Sequence, residues 1–352
     1  MSVGITNFGD KTVAINALFV QPTFYCALNC SGCYVKGGLD QNVKNQKEID
    51  RNLLIDIVWS VNPPGKNARE TNLYLNQITF AVDYLDFERD NSVDLYLSFE
   101  SWRKQIVERK KDDVYGPISP EFHITIFDML QVERYVKTSY SHKSKNNSPD
   151  ITSDQLLAFY KPFDLISISH LKVSDRSLLD SFMKEEIKIN WNFSPDSSSI
   201  NQQVQKVKEI LPHVSSMYYI LHKPDLGLEL DKKSTKNFFE LWKALKKELS
   251  PVLFAKINMD GCVQDAKKYV DTGFGCSSNV SRFQIVPGGH VSGCPYTHRP
   301  TTGPSEDFEG LTRNIREAKK VYEFNRCQIP KGLHPEHPQF IEDEYPYLRI
   351  LQ

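Results

Sequence analysis

Three cysteines, Cys26, Cys30 and Cys33, fall in the run Phe24-Tyr25-Cys26-Ala27-Leu28-Asn29-Cys30-Ser31-Gly32-Cys33-Tyr34. Their C-x3-C-x2-C spacing lets one tight loop aim three thiolates at three irons of a single [4Fe–4S] cube. The next Cys or His after Cys33 is His123, so no fourth protein ligand follows nearby. Structural metal sites are closed by four protein ligands. Three local thiolates leave one iron open to a small chelating molecule, which marks the site as reactive. A zinc knuckle with a distant fourth ligand and three unrelated buried thiols are the competing readings. The loop follows a strand-like apolar run, Val13–Val20, close to the N-terminus.

These residues resemble the cluster loop of the radical S-adenosylmethionine (SAM) enzymes. The resemblance implies that SAM chelates the open iron through its amino and carboxylate groups. The reduced cluster then cleaves SAM to a 5′-deoxyadenosyl radical, which takes a hydrogen from the substrate. The family's aromatic just before the third cysteine is Gly32 in this chain, and Tyr34, just after it, matches a common variant.

With 352 residues the chain can hold one large α/β domain and a smaller one. A net charge of −1 gives no basic footprint for duplex nucleic acid, although a nucleotide or single base remains open as substrate. No apolar run approaches a membrane span, and Met1-Ser2-Val3-Gly4 does not begin a signal peptide. Seven cysteines without an export signal fit metal or redox chemistry in a reducing, cytoplasmic setting.

Apolar strand-like runs alternate with amphipathic stretches. The runs are Val13–Val20, Gln77–Asp83, His123–Phe127, Asp164–Ser169, Ile187–Asn192 and Met217–Leu221; helix-like stretches include Lys47–Val61, Ser153–Tyr160, Ser177–Glu186 and Asn201–Ile210. Such alternation predicts parallel strands joined by helical crossovers. Six units are too few for a closed eight-stranded barrel and match the open partial (β/α)6 TIM-type barrel that the resemblance implies, over residues 1–250. Within it, residues 84–120, with the charged stretch Glu100–Lys111, read as an insertion or lid, or equally as a solvated surface helix. Residues 138–150 are polar and read as an exposed loop.

A second, smaller α+β unit is expected over 251–352. Val252–Met259 reads as a strand, and Phe283–Pro287, Gly288-Gly289 and His290–Ser292 as a β-hairpin. An amphipathic helix, Leu311–Asn325, leads to Cys327. The four late cysteines, Cys262, Cys276, Cys294 and Cys327, are the number that closes a second [4Fe–4S] cluster. Cys276 and Cys294 frame the hairpin as C-x12-G-x4-C, with Gly289 as the glycine. This resembles the first half of the SPASM and shorter twitch domains that carry auxiliary clusters in radical SAM enzymes. The dense cysteine block of a full SPASM domain is missing, so the resemblance is to the twitch type, with one auxiliary cluster. A zinc site or free thiols are the alternatives, and Cys327 could instead face the substrate.

The resemblance also points to SAM contacts at the strand ends. The family's Gly-Gly-Glu at the end of the second strand is replaced by Ala81-Val82-Asp83, and the Asp83 carboxylate can accept from the SAM ammonium. Ser167 and Ser169 share one face of the fourth run, Asn190 and Asn192 one face of the fifth. They are candidate SAM contacts, against the commoner role of bonding loop backbone. His222 and Lys223, at the end of the sixth run, are candidates for substrate contact or proton removal. Asp260 is a candidate acceptor of a proton from a substrate radical.

The function expected from these residues is a radical SAM enzyme acting on a small molecule, nucleotide or modified base, oxidising or rearranging it with the help of an auxiliary cluster. An electron donor such as flavodoxin or ferredoxin is the expected partner. Only 25 residues precede Cys26, which leaves no room there for a leader-binding wing and disfavours the runner-up, a peptide-modifying maturase. The alternative of another class is a non-catalytic iron–sulfur or zinc-binding protein.

Overall fold

The computed structural model describes residues 12–22, 48–64, 71–81, 92–112, 119–129, 131, 133, 137, 152–221, 232–260, 263, 281–293 and 302–320. The chain divides into two compact units. One comprises Met1–Asn29, Gly38–Ile124 and Ser278–Tyr322, the other Cys30–Gly37, Thr125–Ser277 and Glu323–Gln352.

In the first unit, β1 (Val13–Val20) runs parallel to β2 (Leu73–Ala81), with Ala17 opposite Gln77 and Phe19 opposite Thr79. The other edge of β1 pairs in parallel with β8 (Arg282–Val286), which turns at Pro287–Gly289 into antiparallel β9 (His290–Ser292). The expected hairpin is therefore present, and its first strand lies beside β1. Helix α1 (Arg51–Ser60) starts at Asp50, whose Oδ1 accepts from the N–H groups of Asn52 at 2.7 Å and Leu53 at 3.2 Å, the usual N-cap arrangement. It buries Leu53, Leu54, Ile57 and Val58. Helix α8 (Phe308–Lys320) buries Leu311, Ile315 and Ala318 at helical spacing.

The segment read as an insertion or lid carries helix α2 (Ser92–Asp112). Its Phe99, Trp102 and Ile106 recur at helical spacing and are buried. The Trp102 ring centroid lies 4.2 Å from that of Phe80 on β2 and 6.3 Å from that of Phe122 on β3 (Glu121–Asp128). The buried Arg109 guanidinium donates to the Val58 carbonyl and, at 3.0 Å, to Asn62 Oδ1, tying α2 to the end of α1.

In the second unit, β4 (Leu165–His170), β5 (Ile189–Phe193), β6 (Ser216–Tyr219) and β7 (Ile257–Met259) form consecutive parallel pairs. Helix α3 (Ser153–Tyr160) precedes β4 in the chain, and α4 (Arg176–Lys184), α5 (Ile200–Ile210) and α6 (Lys232–Glu248) lie between the successive strands. Thr152 and Ser199 open α3 and α5 with capping boxes to Gln155 and Gln202. One face of the strands is apolar: Ile166, Ile168, Ile189, Trp191, Phe193, Met217 and Tyr219 are buried. Tyr219 packs on Phe238 of α6 at 4.3 Å.

The expected strand Val252–Met259 needs correction. Its first half is a short helix, α7 (Pro251–Phe254), and only Ile257–Met259 is strand. Ser250 Oγ caps the helix by accepting from Leu253 N at 3.3 Å, and Pro251 supplies the preset φ of a first helical residue.

The described strands thus make a mostly parallel α/β structure with intervening helices. Among the described residues no helix is long and apolar enough to cross a membrane.

Candidate functional site

Cys26, Cys30, Cys33, Tyr34, Asp83, His222, Lys223, Cys262, Cys276, Cys294 and Cys327 lie outside the described residues. The described residues on either side of the 23–47 segment are closely tied. Ile49 N donates to the Pro22 carbonyl at 3.0 Å, so the chain leaves and returns at one point. Gln21 N donates to the Ile285 carbonyl on β8 at 2.8 Å, and Gly288 N in the hairpin turn donates to the Glu48 carbonyl at 3.0 Å.

Strand alternation divides the first unit's residues between two faces. Leu18, Val20, Ile78, Phe80, Phe283 and Ile285 share the face that α2 covers through Phe80. The opposite face carries Thr79, Phe19, Gln284 and Ser292 in register across four strands, with Gln77 and Ala17 two residues back along β2 and β1. Gln77 Nε2 donates to Thr79 Oγ1 at 2.8 Å. Gln284 Nε2 donates to Gln21 Oε1, and both side chains are buried. Gln284 Oε1 is buried with no hydrogen-bond partner among the described residues. An acceptor left this way costs roughly 1–3 kcal/mol.

The second unit's polar face holds four of the predicted residues. Ser167 pairs with Asn190, and Asn190 with Ser216, across three parallel strands. Ser216 Oγ donates to Asn190 Oδ1 at 2.9 Å; Asn190 Nδ2 donates to Asn192 Oδ1 at 2.8 Å and to Ser167 Oγ at 3.4 Å. Ser167 and Asn190 are buried, while Ser169 and Asn192, two residues further along, are half-buried. The structure therefore brings Ser167, Asn190 and Asn192 together. Among the described residues their side-chain partners are one another and Ser216. A bound molecule on this face would meet the half-buried row first.

Asp260 is 1% exposed, and its Oδ2 accepts from the Leu221 N–H at 3.0 Å. Its own N–H donates to the Tyr219 carbonyl at 2.8 Å, and its carbonyl accepts from Val263 N at 3.0 Å. The carboxylate thus fixes the backbone just before His222.

Sequence reasoning missed a charged group past the ends of β4 and β5. The His170 ring lies 4.4 Å from that of Phe127. Partial burial of the ring, then the positive charge of Lys206, lowers the His170 pKa, against the opposing pull of Asp128 and Asp196. Burial pushes the Asp196 carboxyl up, but hydrogen bonds from the Ser198 side chain and backbone, with Lys206, leave it below its ordinary value. Lys206 Nζ sits 5.7 Å from the Trp191 ring centroid, within cation–π range. A single histidine ending a strand carries no spacing signal, and Asp196 and Lys206 belong to a loop and a helix that sequence pattern alone does not bring to it.

Among the described residues no three His, Cys, Asp or Glu side chains are grouped to hold a metal ion. No family model matches this chain, and no curated relative matches it. Among solved structures, the chain is similar to Streptococcus suis SuiB, with a TM-score of 0.49 and 12% identity over 90% of this chain and 71% of that one. The S-adenosylmethionine-bound form of SuiB gives a TM-score of 0.46 and 11% identity over 90% and 69%. An open form of tryptophan synthase from M. tuberculosis with BRD0059 bound gives 0.36 and 12% over 87% and 92%. Likeness at this level carries no assignment of family or function.

Proposed function

We propose that this chain is a radical SAM enzyme with one auxiliary iron–sulfur cluster of the twitch type, built on an open (β/α)6 barrel. The observation that carries the reading is the C-x3-C-x2-C triplet within the thirteen residues after Val20, the last residue of a parallel strand. The carboxyl ends of parallel strands are where α/β folds place their chemistry. Cys26, Cys30 and Cys33 would hold a [4Fe–4S] cluster, and Cys262, Cys276, Cys294 and Cys327 the auxiliary one. When bound, the first cluster supplies the electron that cleaves SAM.

The chain's own residues would bind and orient. Asp83 would accept from the SAM ammonium, with Tyr34, Ser167, Ser169, Asn190 and Asn192 among its contacts. His222, Lys223 and Asp260 would stand at the substrate. The substrate class is a small molecule, nucleotide or modified base, the electron donor a flavodoxin or ferredoxin, and the setting the cytoplasm.

Anaerobic reconstitution tests this. About eight irons per chain are expected, falling to about four when Cys26, Cys30 and Cys33 are all replaced by alanine. Wild-type protein given SAM and dithionite should form 5′-deoxyadenosine, and Cys30→Ala should form none. Cleavage retained by that variant, or zinc in place of iron, would overturn the reading.

A further inference from the structure

Gln284 is a buried polar side chain on the face that also carries Thr79 and Ser292. Its neighbours in the strand, Phe283 and Ile285, are buried and apolar. Among the described residues its side chain makes one hydrogen bond, from Nε2 to Gln21 Oε1, and its Oε1 accepts none. A carboxamide kept at this cost for a single bond implies that the bond itself is what is used. Gln21 is the residue next to Pro22, where the 23–47 segment begins.

Three backbone bonds converge on the same place. Gln21 N donates to the Ile285 carbonyl at 2.8 Å, Gly288 N to the Glu48 carbonyl at 3.0 Å and Ile49 N to the Pro22 carbonyl at 3.0 Å. The first two come from strand β8 and its turn, and they reach the residues on either side of the segment. That hairpin lies between Cys276 and Cys294 in the chain, while the segment contains Cys26, Cys30 and Cys33. No local pattern links the two, since Gln21 and Gln284 are 263 positions apart.

We propose that the β8–β9 hairpin anchors both ends of the segment bearing Cys26, Cys30 and Cys33, and that Gln284 is a positioning residue acting through Gln21. The proposal rests on the functional reading only in calling the segment a cluster loop; the anchoring stands without it.

The test uses the full chain without metal, under reducing anaerobic conditions. Alkylation of each cysteine by N-ethylmaleimide is followed by peptide mass spectrometry in wild type, Gln284→Met and Gln21→Met, beside thermal melting. Both variants remove the same bond from opposite sides. The melting temperature of Gln284→Met should change little, because the unpaired Gln284 Oε1 is removed while the buried Gln21 Oε1 loses its donor. Cys26, Cys30 and Cys33 should react about three- to tenfold faster, the opening expected from losing one hydrogen bond, with Cys327 unchanged. Unchanged rates at the three cysteines, or an equal rise at all seven accompanied by a lower melting temperature, would overturn the proposal. If Gln284→Met does not fold, Gln21→Met gives the same two outcomes. Failure of wild-type protein to cleave SAM would remove the functional reading and leave this result intact.

Discussion

The Asp260 carboxylate accepts the Leu221 backbone N–H at 3.0 Å in a buried setting. This contact gives Asp260 a structural task at the end of β6, beside its candidate role in proton transfer. The two tasks separate by substitution. Asp260→Ala strands a buried N–H and is expected to cost roughly 1–3 kcal/mol. Asp260→Asn keeps an acceptor oxygen and should retain most of the stability. Urea unfolding of the two variants checks this. An alanine variant as stable as wild type would remove the structural role. An asparagine variant that is stable yet inactive would support proton transfer.

Trp102 tests whether α2 belongs to the core. It is fully buried, with ring centroids of Phe80 at 4.2 Å and Phe99 at 5.9 Å. Trp102→Ala should cost about 3–5 kcal/mol and shift the main unfolding transition. A lid would melt on its own, and the main transition would then stay in place.

The parts of the fold that were legible in the sequence are those with an unambiguous period. Val13–Val20 was bounded to the residue, and the Gly288-Gly289 hairpin was read from its turn. Val252–Met259 misled because an apolar run of eight residues does not distinguish strand from short helix; the Ser250-Pro251 start signal outweighed it. The charged surface of Glu100–Lys111 hid the spacing of Phe99, Trp102 and Ile106. At the site, alternation puts Asn190 with Asn192 on one face, and those two side chains do meet, whereas the contact of Ser167 with Asn190 depends on the β4–β5 register, which alternation does not give. The pairing of Gln21 with Gln284 was not legible, because it depends on β8 joining the edge of β1.

The glycine of the C-x12-G-x4-C pattern has a physical reason for its identity. Gly289 has φ +73°, and a Cβ there would lie 2.4 Å from the Ser305 carbonyl oxygen. The Gly289 carbonyl in turn accepts from Ser305 N at 3.1 Å. Gly289→Ala must shift backbone as well as adopt a conformation costing roughly 1–2 kcal/mol, so a loss above that range is expected in urea unfolding. Gly303→Ala is the control, because nothing lies within 4 Å of a Cβ there. Equal stability of the two variants would contradict this account of the turn.

His170 gives the protein a pH dependence whose direction is fixed. Its pKa lies below the ordinary 6.5, first through burial and then through Lys206, opposed by Asp128 and Asp196. On acidification the unfolded chain therefore takes up this proton first. Between 6.5 and the lower folded value the unfolded state binds more protons, so stability falls as pH drops. Asp196 acts in another window. Its folded pKa is below 3.8, so its contribution is present above that value and is lost only as pH falls further. Urea midpoints at about pH 7.5 and about pH 5.5 span the histidine range, and the difference between wild type and His170→Asn isolates this one among the nine histidines. His170→Asn should lose less of its midpoint over this interval than wild type does. A variant with the same pH dependence as wild type would show that His170 titrates alike in the folded and unfolded chains.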